Sequence, residues 1–342
     1  MKACYSAGID LHSNNNVICI IDHTGKIEFR HRLANDLQLI LSVLEQYRDH
    51  LSGVVVESTF NWYWLVDGLM DAGYYVELAN PAAMKQYEGL KYTDDHSDAA
   101  WLANCFRLGL LKKAKGYIYP REVRQVRDLL RKRLQLVHQR TANILSIQNL
   151  TARNTGGSIN SREVKQLTEE RIYQMFPEVN LAMAAIANLH VMQTLNSEVK
   201  ILEQEVNKQV ISDNQYEILM GVSGIGKILG MTIHLETGDI NRFAHVGNYS
   251  SYCRCVESRR TSNDKVKGRG NRKNGNKYLA WAFMEAAHFA IRHHDLVQSY
   301  YHRKLTKCKK IVALKTVSHK LARACYWVMK NREPYDINRA FG

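Results

Sequence analysis

A chain of 342 residues is long for one core and fits two domains with a helical spacer between them. Its 45% hydrophobic content suits a globular protein, and no apolar run approaches the roughly 20 residues that span a bilayer. A formal charge of +14, with pI about 9.4, calls for a polyanionic partner; with no signal-peptide core in Met1-Lys2-Ala3-Cys4-Tyr5-Ser6 and no membrane segment, that partner is expected to be nucleic acid. The seven cysteines are scattered, odd in number and without C-x-x-C spacing, as free thiols in a reducing cytoplasm would be. Cys253 and Cys255 offer two ligands, too few for a zinc site.

In chain order, alternating β-branched runs predict strands over Cys4–Leu11, Asn16–Ile21 and Lys26–Leu33, with His23-Thr24-Gly25-Lys26 as a hairpin turn. Helical spacing over Leu37–Tyr47 follows, then a short apolar strand at Gly53–Glu57, a helix over Trp62–Met70 and a strand over Tyr74–Leu78 stopped by Asn80-Pro81. Ser97 reads as the N-cap of a helix over Asp98–Leu111. Three antiparallel strands followed by alternating helices and strands predict a mixed α/β sheet, in an order that matches the ribonuclease-H-like fold. From about Pro120 to Val210 the chain turns helical and polar, and Arg121–Leu150 carries Val123, Val126, Leu130, Leu134 and Val137 on one face. Met192, Leu195, Val199, Leu202 and Val206 step by three and four, a short heptad seam that predicts a coiled-coil hairpin or a dimerising arm. Beyond Tyr216 lies a mostly helical, basic domain, with amphipathic helices over Tyr278–Arg292 and Ile311–Met329. The predicted division is 1–118, 119–212 and 213–342.

Four acids stand out. Asp10 and Glu57 each end an apolar strand, while Asp95 and Asp98 open a helix, three residues apart and so on one helical face; Asp94 is the register rival of Asp95. Singly they read as strand-end caps and helix-dipole acids. Together, in this order on a basic chain, they predict an oxygen-only site for Mg²⁺, the ion that supports in-line displacement at phosphorus. Gly221-Val222-Ser223-Gly224-Ile225-Gly226-Lys227 predicts a helix-hairpin-helix turn whose amides, at Gly224, Gly226 and Lys227, meet a phosphate; the plainer reading is a glycine corner used for close packing. Arg254, Arg259, Arg260, Lys265, Lys267, Arg269, Arg272, Lys273 and Lys277 crowd a Gly-rich stretch that is too polar to pack alone and is expected to fold on nucleic acid. Any serine there is a candidate nucleophile, and composition does not separate Ser258 from Ser250, Ser251 or Ser262. Tyr300, Tyr301 and Trp327 are expected in the core rather than stacked on bases.

Gly8-Ile9-Asp10, Val56-Glu57-Ser58-Thr59, Asn80-Pro81, Asp95-His96-Ser97-Asp98-Ala99, Gly221-Val222-Ser223-Gly224-Ile225-Gly226, Arg242-Phe243-Ala244 and Lys273-Asn274-Gly275-Asn276-Lys277-Tyr278-Leu279 form an ordered series along nearly the whole chain. The series resembles the DEDD-type insertion-sequence transposases of the IS110 family, most closely the IS1111 branch. The resemblance implies a RuvC-like N-terminal domain whose acids, here Asp10, Glu57, Asp95 and Asp98, bind Mg²⁺. It also implies a C-terminal transposase domain whose catalytic serine falls on Ser258, after Glu257. Family members often place Tyr before that pair and a shorter loop after it; here Val256 precedes and Arg259–Arg272 follows. The implied activity is RNA-guided recombination of double-stranded donor and target DNA through a Holliday-junction-like intermediate. An element-encoded bridge RNA acts as guide, protomers assemble as dimers and tetramers, and the setting is the bacterial, nucleoid-associated cytoplasm. The rivals are a junction-resolving endonuclease that uses only the acids and water, and a non-enzymatic nucleic-acid-binding protein.

Overall fold

The structure, a computed structural model, describes residues 4–84, 95–113, 115–211, 213–257, 259–262, 265–269 and 274–342. The chain separates into two compact units, residues 1–121 and 122–342.

The first unit is a five-stranded sheet in the order β3-β2-β1-β4-β5, built from β1 (Tyr5–Leu11), β2 (Asn15–Ile21), β3 (Ile27–Ala34), β4 (Leu51–Glu57) and β5 (Val76–Ala79). β1, β2 and β3 are antiparallel; β4 and β5 run parallel to β1, the mixed sheet that the sequence predicts. Period-two alternation sorts its faces. Ala7, Ile9, Leu11, Ile18, Ile20, Val54 and Val56 share one core with α1 (Leu37–Glu45) and α2 (Tyr63–Asp71). After α3 (Pro81–Met84), α4 (Asp95–Arg107) covers the other face, over Val17, Cys19, Ile21 and Val55. Since Asp95–Arg107 is helical throughout, Ser97 lies inside the helix and is not its cap.

In the second unit, α5 (Arg121–Thr155) is followed by α6 (Ser161–Val164), α7 (Glu169–Met175) and α8 (Val179–Val210). α5 and α8 pair antiparallel: Arg133 Nε donates to Glu203 Oε1 at 2.7 Å, Arg140 to Asn196 Oδ1 at 2.8 Å, and Ile144 and Ile147 pack with Ala185, Leu189 and Met192. The heptad seam thus closes within one chain, as a hairpin.

Next come α9 (Asn214–Met220), α10 (Lys227–Thr237), α11 (Val246–Tyr252), a two-stranded ribbon of β6 (Arg259–Ser262) and β7 (Lys265–Arg269), then α12 (Lys277–His293), α13 (Asp295–Leu305), α14 (Lys310–Asn331) and α15 (Ile337–Phe341). Leu219, Ile233, Tyr249, Phe283, Val317 and Leu321 form their common core. Cys253, Cys255 and Cys325 are buried in it as free thiols, and burial pushes Cys255 up to about 11. No helix among the described residues is long and apolar enough to cross a membrane.

Candidate active site and nucleic-acid surface

Strand register brings the first two acids together. Gly8 pairs with Val55 and Ile9 with Val56 across the parallel β1–β4 ladder, so Asp10 and Glu57 follow side by side where the two strands end. Both belong to the face that α4 covers, because Gly8, two residues before Asp10, lies directly beneath that helix. A Cβ on Gly8 would overlap the Ala99 carbonyl oxygen and stand 2.6 Å from Ala103 N. Only glycine allows an approach this close. Asp98 immediately precedes Ala99, and Asp95 lies one turn earlier in the same helix, so all four acids fall at one end of one face. The side chain of Asp95 lies outside the description. Among the described residues no three His, Cys, Asp or Glu side chains form a metal-sized cluster.

Asp10 is only 5% exposed, and His12 Nε2 stands 3.3 Å from its Oδ2. A carboxamide clamp fixes the turn that carries His12. The His12 carbonyl accepts from Asn61 Nδ2 (2.9 Å) and Asn35 Nδ2 (3.1 Å), while Asn61 Oδ1 accepts from Thr59 Oγ1 (3.0 Å). The loops after β1 and β4 are thereby tied to each other. Phe60, in that pinned loop, is 85% exposed. Sequence reasoning missed Asn35, Asn61 and His12; the signal was a set of polar residues crowding the ends of two apolar strands.

Ser258, Arg272 and Lys273 lie outside the described residues. The basic stretch around them has structure of its own, contrary to the expectation from its polarity. Arg259 pairs with Arg269 and Ser262 with Lys265 in an antiparallel ribbon, with a bulge beside Lys267. Pairing within the ribbon satisfies the inward-facing backbone groups. Lys265 and Lys267 are exposed. The base of the loop is locked. Arg254, at φ +55°, donates from Nε and Nη2 to the Gly275 carbonyl (3.2 and 2.8 Å), and Asn276 N donates to Tyr252 O at 2.6 Å. Asn276 also caps α12 and donates from Nδ2 to Glu236 Oε2 at 2.6 Å. Glu236, 2% exposed, accepts two bonds from Arg131 on α5 (2.5 and 2.7 Å). This brace was also missed, although an acid in the apolar run Ile233-His234-Leu235-Glu236 signals it.

The two glycines of the predicted hairpin divide their roles. Gly224, at φ +80°, packs against the backbone of α12 at Ala286 and Ala290, the close-packing use. Gly226 caps α10 without a side chain, and nothing stands within 4 Å of where its Cβ would be. With Lys227 it lines a cleft of about 580 Å³ that Phe289, His293 and His294 complete. The first amides of α10 have no side-chain cap there, an arrangement that suits an anion. Lys277 lines a second cleft, of about 570 Å³, with Lys132 and His138 of α5. Tyr301 is buried as expected, but Trp327 is 48% exposed: helical spacing places it on the outer side of α14.

Residues 7–152 match the DEDD transposase model of the IS110 family, and residues 216–302 match the transposase model of the IS116/IS110/IS902 family. The transposase for insertion sequence element IS1111A of Coxiella burnetii is 25% identical over 301 residues, which cover 86% of this chain and 79% of that protein. Asp10, Glu57, Asp95 and Asp98 fall within the first matched segment and the glycine hairpin within the second, and the chain belongs to the IS110 family of insertion-sequence transposases.

Proposed function

We propose that this transposase is an RNA-guided DNA recombinase that inserts and excises its element by Mg²⁺-dependent strand cleavage and exchange. The observation that supports the reading is the β1–β4 register, in which Asp10 and Glu57 follow adjacent paired residues, with Asp98 on the helix that covers that face. A donor set of carboxylate oxygens without sulfur fits Mg²⁺ rather than zinc. Asp10, Glu57, Asp95 and Asp98 would hold the ion, which supplies Lewis-acid and template chemistry to a scissile phosphate. His12 stands beside Asp10, and the Asn35–Asn61 clamp keeps the two strand ends from separating.

Ser258 is the proposed nucleophile. As its Oγ–P bond forms, the P–O bond to the neighbouring nucleotide breaks and that nucleotide leaves as a free hydroxyl. Ester for ester, the exchange conserves bond energy, so strands rejoin without an energy-supplying cofactor. Arg259, Arg260, Lys265, Lys267 and Arg269 on the ribbon, with Arg272, Lys273 and Lys277 after it, neutralise the backbone phosphates. Base pairing with a bridge RNA would set the target, and dimers assembling to tetramers would pass strands through a Holliday-junction-like intermediate.

The test is to purify the protein with its co-expressed RNA and supply matched donor and target DNA with Mg²⁺. Recombinant product and a protein–DNA adduct mapping to Ser258 are expected, both lost in Ser258→Ala and in Asp10→Asn. Cleavage that persists in Ser258→Ala without an adduct would instead mark a hydrolytic junction nuclease. Metal dependence and cleavage unchanged in Asp10→Asn would refute the acidic site.

A further inference from the structure

The forty residues from Arg303 to Gly342 lie beyond both family matches and carry eleven Lys and Arg against two acids, Glu333 and Asp336. Much of the chain's excess charge is therefore concentrated in its last two long helical segments. Lys320, Arg323 and Trp327 recur at i, i+3 and i+7 along α14, a single helical face. At the end of α14 the chain reverses through Arg332, at φ +56°, and α15 returns to form the opposite wall. Between the walls lies a cleft of about 440 Å³ lined by Lys320, Arg323, Trp327, Tyr335 and Arg339.

Glu333 and Asp336 line the same cleft and set two carboxylates beside these cations. The Asp336 carboxylate accepts from Asn338 N and Arg339 N as the cap of α15, and Glu333 accepts from Asn331. Lys320 is held within the wall, donating to the Ala340 carbonyl at 2.6 Å, over the ring of Tyr300. Burial, and then the neighbouring charges of Lys304, Arg303 and Arg323, hold its ammonium below the ordinary lysine range. Arg323 and Arg339 are exposed, and the guanidinium of neither is hydrogen-bonded or ion-paired among the described residues. Two exposed guanidinium groups beside a half-exposed indole fit a ligand that combines anionic groups with a flat apolar ring.

We infer that this cleft binds an unpaired nucleotide of a DNA strand, its base stacked on Trp327 and its flanking phosphates held by Arg323 and Arg339. A cavity of this size holds one base with its sugar. Duplex DNA keeps its bases stacked inside and cannot offer one to the indole, so the site selects single strands; a recombining DNA must expose such strands when its ends are parted. Stacking and phosphate contacts carry no sequence preference, which leaves target choice elsewhere. The inference rests on the C-terminal helices and is independent of the acidic site and of Ser258.

The experiment is a titration of the full-length protein with oligothymidylate, without metal, following tryptophan emission. Wild type is expected to be quenched, and the quench should be absent in Trp327→Phe, which keeps the other four tryptophans. Trp327→Ala should weaken binding roughly tenfold, with Trp327→Phe intermediate because phenyl still stacks. Arg323→Ala and Arg339→Ala should each lower the salt dependence by about one phosphate contact. Thermal melting of each variant verifies folding. A quench of equal size in Trp327→Phe, an equal Trp327-dependent response to duplex DNA, or tighter binding of oligouridylate would each overturn the assignment.

Discussion

Gly8 shows how one missing methyl group positions an acidic site. The backbone of α4 presses on it at Ala99 and Ala103, and backbone, unlike a side-chain tip, cannot swing aside. Gly8→Ala should cost about 1–3 kcal/mol through overpacking and lift the helix, drawing Asp98 away from Asp10. Urea denaturation and a cleavage assay should report both losses; unchanged values in both would refute the packing account. His234, on α10, makes a second residue-scale case. Burial holds its pKa below the ordinary 6.5, with the Asp213 carboxylate pulling weakly the other way. Its Nδ1 is buried without a hydrogen-bond partner among the described residues. The unfolded chain therefore binds a proton more readily than the folded one, and stability present above about pH 6.5 is lost as pH falls. The thermal midpoint should drop between pH 7.5 and 5.5, and His234→Gln should flatten that dependence.

At the scale of elements, much was legible in the sequence. The five strands appear where apolar runs and turn residues predict them, because β1, β2 and β4 are buried on both faces and the edge strand β3 still packs Phe29 and Leu33 against the core. The acids were legible as strand-end residues, but the packing of α4 on Gly8 and the clamp made by Asn35 and Asn61 were not: close approach and side-chain clamps are properties of partners distant in sequence. The coiled coil was half legible. Met192, Val199 and Val206 reveal a seam on α8, and Val123, Val126 and Leu130 reveal the start of its partner face on α5; the continuation through Arg133, Val137, Arg140, Ile144 and Ile147 is masked by two arginines that pair with Glu203 and Asn196. Polar layers of this kind fix register at some cost in stability. Ile147→Ala should destabilise the second unit by about 2–4 kcal/mol, whereas Leu145→Ala, on the exposed side, should change it by less than about 0.5 kcal/mol. Denaturant midpoints separate the two; comparable losses would mean the seam is misassigned. The β-ribbon was missed because its strands are short and charged, without the apolar alternation that marks a packed strand.

For the whole molecule, the decisive quantity is charge. A net +14 does not select a fold, but it dictates how the chain meets DNA: affinity comes largely from releasing counterions, so it must fall steeply with salt. The exposed ribbon lysines allow this to be measured one contact at a time. Lys265 and Lys267 stand on a strand whose backbone is already paired, so removing their ammonium groups leaves the ribbon's ladder intact. The double variant Lys265→Ala/Lys267→Ala should reduce the slope of log affinity against log salt by about 2, each phosphate contact contributing about 0.9. Because backbone contacts carry no sequence information, the reduction should be equal for duplexes of unrelated sequence. Fluorescence anisotropy across a salt series decides the matter. An unchanged slope would remove the ribbon from the DNA surface, and a sequence-dependent change would mean that its lysines read bases in a groove rather than phosphates along the backbone.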